Sequence, residues 1–327
     1  MTRLAAADEK QVKQKLMEAN YADSTLKKYR ASVARFMEWV DENKVATRLT
    51  TAAAVDDTVC RYIAWLYYQT DGKKGKSIAS TLLSALVAAS PHLAGKLVES
   101  TKMARGWGRI KPAVAYPPLS WELCIVMAYQ LKRAGKPLFA LALLLGFDCF
   151  LRNGEIVNLV KSDVADSGDP RVGTSYTGVA LRLRDTKTGK NQWVTVMNAH
   201  VRKLLRERVK ALKSPTDRLF PFSSDQLRVM FRAVCDNLGL SRAYVVHSLR
   251  HGGATKAYLD NMPIAEIKKR GRWRSDKSAD HYIQSGPALL LQQSVPGKYA
   301  KLGQLLDRVL YEAFTTSSTT PSLSQKH

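Results

Sequence analysis

The feature that most constrains this chain is a break at residues 106–118, GWGRIKPAVAYPP. Proline lacks the backbone N–H a helix needs and pushes its preceding residue toward extended backbone. No regular element is expected to cross this stretch, so the chain reads as two folding bodies. A length of 327 residues, long for one core, agrees. The boundaries are an N-terminal extension 1–20, a helical domain 21–104, a linker 105–117, a second domain 118–314 and a tail 315–327. The tail is Ser/Thr-rich and too polar to pack.

The first body has a helical period. Leu26, Tyr29, Val33, Phe36, Met37 and Val40 recur at helical spacing after Asp23 or Ser24, either of which can cap. Further helices are expected over Asp56–Thr70, Ser77–Ala89 and Ala94–Met103. The second body mixes periods. Helices are predicted at 121–134, 137–150, 153–159, 200–213, 224–238, 247–261, 264–270, 275–283 and 298–314. Between them, Val179, Leu181 and Leu183 alternate with polar residues, TKTGKN turns, and Trp193, Val194 and Val196 return. That is a β-hairpin with Lys187 and Lys190 at its tip. The fold class is mainly α, of the α+β kind, with one small antiparallel sheet.

Charge narrows the partner. Fifty-one Lys and Arg against 28 Asp and Glu give a formal net charge of +23. Such an excess repels itself and implies a polyanion, with nucleic acid ahead of an anionic membrane surface. The basic residues are spread through folded segments and not gathered beside an apolar anchor. The longest apolar run, Leu138–Phe147, is half what a bilayer requires and reads as a buried helix. The N-terminus lacks the apolar stretch of a signal peptide. The four cysteines form no C-x-x-C pair, so neither zinc nor a disulfide framework is expected. A soluble, intracellular, DNA-associated protein without cofactor or membrane partner is the expectation, in a nucleus or a nucleoid according to host.

One set of side chains carries chemistry. Arg152 and Glu155 lie in CFLRNGEIVNL, Lys187 in RDTKTGKNQ, His247 and Arg250 in VVHSLRHGG, and Trp273 and Tyr282 in GRWRSDKSADHY. Each has an ordinary reading alone. Arg152 follows an apolar helix and can cap it or pair with Glu155. Hairpin lysines are usually solvated, and a tyrosine on an amphipathic helix is usually core. His247 and His251 stand four apart, but Ser248 occupies the position where a zinc protease has Glu. Gly72-Lys-Lys-Gly-Lys-Ser77 has two residues between its glycines, not the four of a phosphate-binding loop. It reads as a basic or solvated loop. Jointly the set is what a phosphodiester needs to be cut without a metal. Arginine forks neutralise phosphate oxygens, a tyrosine attacks, and a lysine or histidine moves protons.

In order and spacing, R-x-x-E, the K-T-G-K hairpin, H-x-x-R and G-R-W with Tyr282 nine residues after Trp273 resemble the tyrosine recombinase (phage-type integrase) family. HSLRHGGAT and GRWRSD look closer to its eukaryotic mobile-element members, since bacterial members usually have His at the Trp273 position. STLKKYRASVARFMEWV and SIASTLLSALVAA resemble helices of the family's core-binding domain. The resemblance implies a C-shaped clamp of two domains on double-stranded DNA, with paired recognition sites and a homotetramer. It implies Tyr282 as nucleophile and a 3′-phosphotyrosyl intermediate. Arg152, Arg250, His247 and Trp273 would hold the phosphate, with Glu155 beside them. Lys187 or Lys190 would protonate the leaving oxygen, Lys187 preferred because it precedes Thr-Gly. Lys73, Lys74, Lys76, Arg105, Arg109, Lys111 and Lys190 are candidate DNA contacts. Type IB topoisomerase-like relaxation and a silent DNA-binding protein of the same fold are the alternatives. Where the family has Thr-Gly before Leu-Arg, this chain has Cys149 and Phe150, so a different backbone packing is expected there. The helix at 298–314, with Leu302, Leu305, Leu306, Val309 and Leu310, is expected to dock either on a neighbouring protomer or on its own domain.

Overall fold

The computed structural model describes residues 6–45, 49–73, 75–112, 116–173, 175–186, 189–280 and 296–315. The chain divides into two units, Met1–Val114 and Ala115–His327.

The first unit is helical: α1 (Ala6–Glu18), α2 (Asp23–Glu42), α3 (Ala52–Thr70), α4 (Lys76–Ala89) and α5 (Val98–Ile110). Its core is Phe36, Trp39 and Val40 of α2, Val59, Tyr62, Ile63 and Leu66 of α3, Leu82 of α4 and Trp107 of α5. These are the helical-period positions, so burying one stripe per helix accounts for the bundle. Neither Ser24 nor Asp23 caps α2; Ala22 occupies the cap position without a side-chain bond. The helix expected at Ala94–Met103 begins later and runs to Ile110, into the expected linker. Its start is set by another helix. Buried Asp56 of α3 accepts from the backbone N–H of Glu99 (2.9 Å) and Ser100 (3.1 Å), satisfying donors that α5 leaves open. The glycine-rich loop is a helix–helix turn. Trp107 donates its indole N–H to the Gly72 carbonyl at 2.9 Å.

The second unit contains α6 (Trp121–Arg133), α7 (Pro137–Asp148), α8 (Asn153–Val157), β1 (Val164–Ala165), β2 (Val179–Thr186), β3 (Gly189–Val196), α9 (Ala199–Lys210), α10 (Ser224–Asn237), α11 (His247–Leu259), α12 (Ile264–Gly271), α13 (Asp276–Asp280), α14 (Gly297–Arg308) and α15 (Leu310–Thr315). Helix α7 is apolar throughout and buried from Ala140 to Phe147. The antiparallel sheet runs β1-β2-β3, with Val179 opposite Val196 and Thr186 opposite Gly189. Val179, Leu181 and Leu183 face the core with Val194 and Val196.

The expected single helix at 298–314 is two, broken at Val309 (φ −121°). Leu306 and Leu310 are buried in this unit's core, and Leu302 packs against it. A Cβ built on Gly303 of α14 falls 2.5 Å from that of Glu122 on α6, so glycine permits the close approach. Trp121 donates to Asp307 at 3.0 Å. Of the two expected roles, these residues serve packing on their own unit; Leu305 and Val309 stay exposed.

Candidate active site

Helix α8 is only five residues long, and its first turn is held by side chains. Glu155 accepts the Arg152 backbone N–H through Oε2 (2.8 Å) and the Arg152 guanidinium through Oε1 (2.6 Å). Of the two ordinary roles foreseen for Arg152, pairing with Glu155 is present; the apolar helix before it ends on Cys149, and Arg152 stands instead at the N-cap position of α8. The Arg152 side chain remains 22% exposed, whereas Glu155 is 5% exposed. The guanidinium therefore still faces solvent while its partner lies inside.

Immediately before it, Phe150 has φ +51°, the left-handed conformation that glycine takes without strain. The backbone is glycine-like, and the difference is the ring. It packs with Trp273 (centroids 6.4 Å apart) in a small cluster with Ala254, Ile267 and Ala279. Holding a bulky residue in this conformation costs about 1–2 kcal/mol, which the ring's burial offsets.

The Phe150 carbonyl is a meeting point. It accepts from Arg250, whose side chain is fully buried, and from Arg272 at 2.9 Å. Arg250 also donates to the Gly271 carbonyl and lies over the Trp273 ring, 4.8 Å from its centroid. Arg250 sits on α11, one turn after His247, whose ring meets His251 edge-on at 5.2 Å. Two glycines let α11 approach. A Cβ at Gly252 would fall 2.0 Å from the Leu119 carbonyl, and one at Gly253 2.2 Å from that of Phe147. The structure thus brings Arg152, Glu155, Arg250 and Trp273 into one network, and places His247 one turn before Arg250 on α11, against His251.

Two further arginines belong to it. Arg272 has φ +58° and is buried; it donates to Glu155 Oε2 (2.9 Å) and to the Arg270 carbonyl (2.9 Å). Arg270 donates to the carbonyls of Thr195 and Asp148, fastening α12 to β3 and the end of α7. Burial works to raise the Glu155 pKa, but the charge of Arg272, the Arg152 N–H and the charge of Arg152 outweigh it. The carboxyl is held below its ordinary value. Sequence reading passed over Arg272; its one signal was a third basic residue in the run around Gly271-Arg-Trp.

An open cavity of about 640 Å³ adjoins Arg152 and is lined by Arg182, Arg184 and Arg218. Buried Asp163 holds Arg182 (3.3 Å) and Arg184 (3.1 Å) from below. Thr186, the last residue of β2, lines this cavity as well. Lys187, Tyr282 and Lys74 lie outside the described residues. Of the other expected DNA contacts, Lys73, Arg105, Arg109, Lys111 and Lys190 are exposed and Lys76 is half-buried. Lys73 pairs with Asp71 at 3.2 Å, and Arg105 and Arg109 stand on α5.

Residues 128–288 match the model of the phage integrase family. The chain belongs to this family, the tyrosine recombinases. Solved structures repeat the fold. A lambda integrase dimer bound to a COC′ core site is 17% identical, with 84% of this chain and 94% of that one covered and a TM-score of 0.58. The Tn1549 transposon integrase in complex with circular intermediate DNA is 14% identical, with 86% and 97% covered and a TM-score of 0.56. A lambda integrase tetramer bound to a Holliday junction is 18% identical, with 86% and 88% covered and a TM-score of 0.50. No curated protein sequence matches the chain. Among the described residues, no helix is long and apolar enough to cross a membrane.

Proposed function

We propose that this protein is a site-specific DNA recombinase that cuts and rejoins strands through Tyr282. The observation carrying this reading is the arrangement itself: Arg152 partly open to solvent on Glu155, Arg250 stacked on Trp273, and His247 one turn away on the same helix as Arg250. The described chain continues to Asp280, two residues before Tyr282, and Ala279 is buried in the Trp273 cluster.

The Tyr282 oxygen attacks the scissile phosphorus as its hydroxyl proton passes to His247. The bond to the 5′ oxygen breaks, Lys187 gives that oxygen a proton, and a 3′-phosphotyrosyl link remains. Arg152 and Arg250 neutralise the non-bridging oxygens, while His247 and Trp273 orient the phosphate. The link conserves the bond energy, so a 5′-hydroxyl from another strand can reverse the step. Losing one such oxyanion contact typically costs about 10²–10³ in rate. DNA-bound integrases with this fold, including a dimer and a Holliday-junction tetramer, support double-stranded DNA as substrate and four protomers as the working assembly.

Wild type and Tyr282→Phe, incubated without metal with a diverse duplex library, test the reading. SDS-resistant adducts are expected from wild type alone, enriched for a paired motif. Equal adducts from both would displace Tyr282 as nucleophile. Sequence-selective binding with no adduct would make the chain a silent DNA-binding protein.

A further inference from the structure

Glu155 presents a difficulty for the site as drawn. Its Oε1 lies 2.6 Å from the Arg152 guanidinium. A carboxylate that close competes with a phosphate for the same fork, and the pair together carries no net charge. An arginine neutralised in this way is a poor electrophile for a dianionic transition state.

The geometry points to Arg272 as the residue that resolves this: it engages the other oxygen of Glu155, restores a net positive charge to the group, and so keeps Arg152 available to the scissile phosphate. The inference rests on the proposed role of Arg152. Arg272 donates to Glu155 Oε2 at 2.9 Å, the oxygen that also accepts the Arg152 backbone N–H at 2.8 Å. The two carboxylate oxygens are thus divided between a buried and an exposed arginine. With two guanidiniums and one carboxylate, the group carries one net positive charge.

Arg272 is a positioning residue and not a catalytic one. Its side chain is 2% exposed, and its terminal nitrogens are engaged by Glu155 and by backbone carbonyls. Its Nη1 and Nη2 also donate to the backbone carbonyls of Arg270 (2.9 Å) and Phe150 (2.9 Å), which hold the fork beside Glu155, while its buried Nε has no hydrogen-bond partner among the described residues. Its left-handed backbone turns the chain so that the next residue, Trp273, folds under Arg250. Both phosphate-facing arginines are therefore set from one buried guanidinium, Arg152 through Glu155 and Arg250 through the shared Phe150 carbonyl and Trp273.

Charge balance distinguishes this role from a purely structural one. Arg272→Met leaves Arg152 neutralised by Glu155. Adding Glu155→Gln removes that carboxylate and restores the single positive charge. Covalent adduct formation would be timed at saturating DNA, on a duplex carrying the site that wild-type adducts identify, with DNA affinity measured in parallel. Arg272→Met is expected to slow adduct formation about tenfold or more with affinity changed by less than about threefold. Glu155→Gln/Arg272→Met is expected to recover most of that loss. A double variant as slow as Arg272→Met, or wild-type speed in Arg272→Met, overturns the inference. Where Arg272→Met fails to bind DNA, Arg272→Lys decides: charge kept and fork lost, it should cut within about threefold of wild type, and a tenfold loss with normal binding refutes charge balance. Arg152→Ala runs alongside. If it is slow while Arg272→Met is fast, only this inference falls; if it cuts at the wild-type rate, the reading of Arg152 falls as well.

Discussion

Phe150 sets two costs against each other at one residue. Its left-handed backbone costs about 1–2 kcal/mol, and its ring fills the cluster around Trp273. Truncating a buried Phe costs about 3–5 kcal/mol, so packing outweighs strain. Phe150→Gly should therefore lower unfolding stability by about 2 kcal/mol net, since it sheds strain and ring together. Phe150→Ala keeps the strain and loses the ring, and should be about 1 kcal/mol worse than glycine. Chemical denaturation checks the order; alanine better than glycine would show that no strain is stored there. Glu155 makes a second prediction at this scale. Its folded pKa is depressed, so its stabilisation is present above the unfolded value near 4.3 and lost as pH falls through the folded one. The Tm gap between wild type and Glu155→Gln should shrink as pH falls from 7 toward 3. A constant gap would mean the carboxylate is not depressed.

At the scale of elements, glycines separate contact from propensity. Alanine is favoured over glycine inside a helix by about 1 kcal/mol. Gly106, in α5, has open space where a Cβ would stand, so Gly106→Ala should stabilise by roughly that amount. Gly253, in α11, faces the Phe147 carbonyl at 2.2 Å from a built Cβ. Gly253→Ala should lower Tm and shift α11, which carries His247 and Arg250, with slowed adduct formation. Similar Tm values for the two variants would remove the close approach from the account. Most helices were legible because each buries one stripe at the helical period. What was not legible depends on distant partners. The start of α5 is fixed by Asp56, 43 residues earlier. The break at Val309 interrupts a continuous apolar pattern, because Leu310 turns into the core beside α9.

For the whole molecule, the surplus of Lys and Arg is the dominant fact. Each phosphate neutralised releases counterions, so a site of six or more phosphate contacts loses about a thousandfold in affinity between 50 and 200 mM salt. Binding to a duplex should show that slope, and a flat salt response would locate the charge away from the DNA. The set proposed to bind the phosphate was legible because few side chains can do that chemistry and they recur in order. Arg272 was not, because its role is defined by Glu155, 117 residues away. One consequence concerns how such a site survives sequence drift. Arg250, Arg270 and Arg272 all donate to main-chain carbonyls of residues 148–150. A carbonyl oxygen is the same whatever side chain stands beside it. A change of side chain at residue 150 that keeps the left-handed backbone leaves in place the lone pairs that seat the guanidiniums. These seats of the guanidiniums are written in backbone, which the letters of a sequence do not spell.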